Sequence, residues 1–141
     1  MKLKSLLTVL TTLAFAMTSG FAAEEDTPLA KEMKTMNKAL RTLKKQVADP
    51  AKKDDNLALV ATIKKSLDAS VKLEPAKTKD VPAAEKAAYL DKYKAQMADL
   101  AKTYDEVEAA LKADKADDAK KAIEKLSDQK EKGHKDFGAD D

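Results

Sequence analysis

The stretch Leu90–Leu111, LDKYKAQMADLAKTYDEVEAAL, decides the fold. Leu90, Tyr93, Met97, Leu100, Tyr104, Val107 and Leu111 recur at alternating steps of three and four residues. That is the period of one face of an α-helix and excludes the two-residue alternation of a strand. The residues between them are charged, polar or small, so the segment carries one apolar stripe and needs partners with matching stripes.

Prolines 28, 50, 75 and 82 divide the rest of the chain into pieces that supply them. Thr27-Pro28 reads as an N-cap followed by proline in the first turn, where a missing N–H costs nothing. Leu29, Met33, Met36, Leu40, Leu43 and Val47 then form a stripe that Asp49-Pro50 ends. Asp54-Asp55-Asn56 offers acceptors to a second helix carrying Leu57, Val60, Ile63, Leu67 and Val71, closed at Glu74-Pro75. The connection Pro75 to Pro82 lacks periodicity, and Pro82 opens the third helix. A polar link at 113–115 leads to a fourth, with Ala119, Ile123, Leu126, Lys130, His134 and Phe137 on one stripe. Four helices of about 20 residues, each about 30 Å long, joined by short links, predict an all-α, antiparallel up-down-up-down four-helix bundle.

Residues 1–22 are set apart from this pattern. Met1-Lys2-Leu3-Lys4 is a basic start, Leu6 to Met17 an apolar run, and Gly20-Phe21-Ala22 places small residues where a signal peptidase reads. The expectation is a secretory signal cut between Ala22 and Ala23, a periplasmic product of residues 23–141, and no stable membrane insertion afterwards.

The whole chain has 141 residues, 27 Lys plus Arg, 25 Asp plus Glu, one His and no Cys. Without Lys2 and Lys4 the formal net charge falls to zero. Lysines interleave with acids, and only three tyrosines and Phe137 could stack on bases, so nucleic acid has no footprint. Absent cysteines exclude disulfide staples, a zinc–thiolate cluster and covalently attached c-type haem. Nucleophilic triads lack partners, and Glu131-x-x-His134 is half of a di-iron motif without a second histidine.

The unusual stripe members are His134 and the methionines. A histidine near a helix C-terminus is favoured by the dipole, and a methionine in a stripe is ordinary core filler. Met33, however, lies about five residues from the start of helix one and His134 about four from the end of helix four. In the expected bundle these ends share one pole, so a thioether and an imidazole meet at one depth, with Met36 a turn deeper. That pair is the axial set of an electron-transfer haem. Leu29, Met36, Leu67, Val71, Leu73, Leu90 and Tyr93 fill the surrounding core thinly. Either a flat ring or closer helices supplies the missing contact.

With these features the chain resembles the soluble cytochrome b562 family. The likeness rests on Glu32-Met33-Lys34-Thr35-Met36-Asn37, the proline-bounded loop 75–82 and the closing segment Leu126 to His134. It implies one non-covalent haem b (iron protoporphyrin IX) with His134 and Met33 as fifth and sixth ligands. Met36, Val71, Leu90 and Tyr93 would lie against the ring. Lys130 stands where the family often has an arginine beside the haem, and so marks a propionate partner; loop 75–82 would lie near the exposed edge. Gly133 either admits the macrocycle or marks helix fraying. The expected role is electron transfer to periplasmic redox partner proteins by a monomer, not an enzyme. The alternative is a cofactor-free envelope bundle acting as a chaperone or interaction module.

Overall fold

The computed structural model describes residues 27–138; the expected leader lies outside them. The described chain is all-helical: α1 Pro28–Gln46, α2 Lys53–Ser70, α3 Lys86–Lys112 and α4 Ala116–Phe137, with 3-10 turns at Pro50–Lys52 and Ala76–Asp80. Among the described residues there is no strand.

The ends of the helices follow local chemistry. Thr27 caps α1 by accepting from Ala30 N at 3.1 Å, with Pro28 in the first turn. Asp49 caps the first 3-10 turn by accepting from Ala51 N at 2.9 Å. That turn hands the chain into α2, which has no side-chain cap. The cap expected from Asn56 is therefore corrected. Asn56 is fully buried; its Oδ1 accepts from Gln46 Nε2 at 2.9 Å and its Nδ2 donates to the Gln46 carbonyl at 3.3 Å. A polar amide this deep must be paired, and here the pairing ties the end of α1 to the start of α2.

Helix α2 ends at Ser70, four residues before the expected stop. Lys72 N and Leu73 N turn back to the carbonyls of Ala69 and Ser70, and the Tyr93 hydroxyl donates to the Ser70 carbonyl at 2.9 Å. Pro82 seeds a turn rather than α3 itself: its carbonyl accepts from Glu85 N and Lys86 N. Helix α3 is 27 residues long. It closes with Lys115 N on the Ala110 carbonyl and Asp114 N on that of Leu111. Asp114 takes φ 58°, a left-handed conformation that an aspartate tolerates better than most side chains.

All four helices contribute to one core, in which Leu43, Val60, Ile63, Val107 and Leu126 are completely enclosed. The closely packed pairs are α1 with α2, α2 with α3, and α3 with α4; α1 and α4 approach less closely. Lys53, at the start of α2, reaches Asp114 and the Lys112 carbonyl at the end of α3. Lys92, early in α3, pairs with Asp136 at the end of α4.

The α4 stripe is also corrected. Its buried members are Ala119, Ala122, Ile123, Leu126 and Phe137, while Lys130 and His134 are exposed. The reason is the seat of α4 on α3. Gln96 Nε2 donates to the Gln129 carbonyl at 3.3 Å and stands only 3.2 Å from where a Cβ on Gly133 would be. The Gln129–Gly133 side thus faces α3, which turns residues 130 and 134 onto the other flank. Gly133 sits inside a helix that continues to Phe137, so fraying does not account for it; a Cβ there would press on the Gln96 side chain.

Leu43→Ala and Leu126→Ala should each lower unfolding free energy by about 2–5 kcal/mol, and half-buried Leu57→Ala by less than half of that, as read from urea midpoints. A second expectation concerns Glu108, which lies between Lys64 and Lys112. Their hydrogen bonds hold its carboxyl down at about 2, against an ordinary 4.5. The pair therefore stabilises the fold above pH 4.5 and loses that contribution as pH falls towards 2. Partly solvated pairs are worth at most about 1 kcal/mol. Glu108→Gln should show that small deficit at neutral pH, and the deficit should vanish in acid.

Candidate functional site

Where α1 and α4 face each other, the Lys44 ammonium donates to Ser127 Oγ at 2.6 Å. This bond marks the flank that each helix turns toward the other. Met33 precedes Lys44 by eleven residues, three turns, and His134 follows Ser127 by seven, two turns. Both residues therefore lie on the same flanks as the bond, about 16 Å and 10 Å from it along their axes. The Lys44 side chain leans toward the N-terminal end of its helix, which brings its ammonium nearer to the level of Met33.

The two side chains differ in setting. Met33 is half-buried and packed against the core. His134 is exposed, and its imidazole makes no hydrogen bond to the described residues. Its position on the flank of α4 replaces the inward position expected from the stripe. Lys130, one turn earlier, is exposed on the same flank. Met36 points into the core at 5% exposure, Val71 is half-buried against it, and Leu90 is half-buried.

Tyr93 is held differently from a loose wall residue. It is 2% exposed, with its hydroxyl on the Ser70 carbonyl, and burial pushes that hydroxyl up to about 12. Its ring meets Phe137 edge-on at 5.3 Å, and Tyr89 meets the other side of Phe137 at 5.2 Å. Lys92 Nζ lies 5.9 Å from the Phe137 ring centre. This three-ring cluster closes the end of the core one turn beyond His134. Phe137 was legible as a stripe member, but its partnership with Tyr89 was not: a stripe begun at Leu90 leaves Tyr89 out, although Tyr89 also stands four residues before Tyr93.

Tyr89 also lines a groove of about 490 Å³ with Lys77, Val81, Pro82, Lys92 and Asp136. Its hydroxyl is buried without a hydrogen-bond partner, and desolvation raises its pKa. The groove and the 3-10 turn Ala76–Asp80 belong to the α3 side of α4. Loop 75–82 is thus on the opposite flank of α4 from His134.

A soft thioether and an imidazole with no competing hydrogen bond are a donor pair suited to haem iron. In the comparison with known families, the cytochrome b562 family model matches residues 28–137. The chain belongs to the cytochrome b562 family. Members of this family are haem-binding electron-carrier bundles and not enzymes. Neither the curated proteins nor the solved structures contain a match to the chain. Among the described residues no helix is long and apolar enough to cross a membrane.

These placements predict a contrast in the haem-free chain. His134→Ala should change stability by less than about 0.5 kcal/mol, since an exposed side chain without partners contributes little. Phe137→Ala should cost about 3–5 kcal/mol by opening the aromatic cluster. Chemical denaturation of the two variants checks this.

Proposed function

We propose that this chain is a periplasmic electron carrier that binds one non-covalent haem b between α1 and α4, with Met33 and His134 as axial ligands. The observation that carries the reading is their common flank: both lie on the sides of α1 and α4 joined by Lys44 and Ser127, in a helix pair outside the three closely packed ones. A seam held apart can open for a flat ring at lower cost than a closely packed one.

The same reading takes the helices as an antiparallel up-down-up-down bundle. It is supported by pairs that link the start of one helix to the end of the next, such as Lys53 with Asp114 and Lys92 with Asp136. In that arrangement the start of α1 and the end of α4 share a pole, which brings Met33 and His134 together. The basic leader and apolar run of residues 1–22 support export.

Bound haem supplies a one-electron ferric–ferrous couple. Every other part belongs to the protein. The Met33 sulfur favours the reduced state as a soft donor. His134 would offer a ring nitrogen that no described residue engages. Met36 and Val71 line the apolar side next to Met33, and Leu90 with Tyr93 closes the pole. Lys130, on the same flank as His134, is placed to meet a propionate. With Met33 and His134 both holding the iron, it would offer small molecules no open site.

Adding haem to the mature protein should give a sharp low-spin visible spectrum with a one-to-one end point. Met33→Ala and His134→Ala should each abolish the low-spin bands, whereas Met36→Leu should keep them. A spectrum unchanged in His134→Ala would remove the ligand assignment.

A further inference from the structure

Averaged over the chain the charges interleave; sorted by helix they do not. Helices α2, α3 and α4 each carry equal numbers of acidic and basic residues. Helix α1 carries Lys31, Lys34, Lys38, Arg41, Lys44 and Lys45 against a single acid, Glu32. Lys44 turns into the seam toward Ser127. The other five follow steps of three and four and form a straight row on the outer face of α1, all exposed. From Lys31 to Lys45 the row runs about 21 Å.

Among the described residues, four of the five cations in the row are also unpaired. On the other helices some lysines are matched to acids, Lys64 to Asp105 and Glu108, Lys92 to Asp136 and Lys125 to Glu106. Lys31, Lys38, Arg41 and Lys45 form no ion pair among the described residues. Thr35 and Thr42 bond back to the carbonyls of Lys31 and Lys38, so they do not screen the face.

We infer that the outer face of α1 is the docking surface for an acidic patch on a partner protein. The inference rests on the electron-carrier reading for its purpose. Met33 lies on the flank of this same helix, so a partner on the row is separated from the proposed haem by little more than one helix, about 10 Å across. A carrier needs frequent encounters and quick release. A one-sided charge row supplies both, by steering approach over roughly a Debye length without adding buried apolar contact.

Charge complementarity favours protein over the other polyanions. The apolar face of α1 is consumed by the core at Met36, Leu40 and Leu43, so the helix has nothing to insert into a bilayer. Helix α1 contains no aromatic residue, so it offers no platform for bases.

The test uses a flavodoxin as acidic probe and the haem-free chain, so that failure to bind haem and failure of this surface give different results. At low salt, amide shift changes on titration should concentrate in residues 28–46, and affinity should fall several-fold when salt is raised to physiological strength. Lys31→Glu/Lys38→Glu/Arg41→Glu should weaken binding at least about tenfold. Lys94→Glu/Lys121→Glu/Lys132→Glu, with the same charge change on α3 and α4, should stay within about twofold. Circular dichroism melts of both variants establish that they are folded. Shifts centred outside α1, equal loss in the two variants, or binding to phosphatidylglycerol vesicles or single-stranded DNA in preference to flavodoxin would overturn the inference.

Discussion

The seat of α4 on α3 governs everything at the functional end of this protein. A Cβ on Gly133 would stand 3.2 Å from Gln96 Nε2, the tip of a side chain on α3. Gln96 then holds the Gln129 carbonyl. A helix committed to α3 along residues 129 and 133 has no freedom to point residue 134 into the core. His134 emerges on the flank toward α1, with neither nitrogen engaged, and Met33 occupies the corresponding flank of α1. The packing that seals the α3 seam leaves the flank of α4 toward α1 exposed at residues 130 and 134.

Much of this was legible in the chain itself. Three-and-four spacing located four helices because burial of a stripe outweighs any local preference. Leu43, Ile63, Leu67, Val107 and Leu126 are core residues as the stripes require. Thr27-Pro28 begins α1 as capping chemistry dictates. The family likeness, carried by the residues around Met33 and by the closing segment, agrees with the match over residues 28–137.

What escaped the pattern has physical causes. Asn56 reads as a cap from its neighbours, yet its amide matches both polar atoms of Gln46 and is worth more inside than at a solvated helix end. The rotation of α4 brings Gly133 toward α3, and periodicity assigns a glycine to no face. Over the last two turns, the choice between the 130–134 and 129–133 rows depends on which neighbouring helix packs closer, a tertiary fact. Loop 75–82 shows no period, so its attachment to the α3 side could not be read either. The charge row on α1 was hidden for the opposite reason: the balance was struck over the whole chain, where acids on other helices obscure it.

The bundle therefore divides its labour by helix pair. Helices α2 and α3 supply rigid, ion-paired walls, α3 orients α4, and α1 joins the proposed ligand site to the proposed docking face. Near-infrared magnetic circular dichroism of the ferric, haem-loaded protein reads the axial donors directly. The thioether–imidazole charge-transfer band should be present in the parent protein and lost in Met33→Ala. Its absence from the parent, or a spectrum of lysine–histidine or water–histidine type, would contradict convergence of α1 and α4 on one iron.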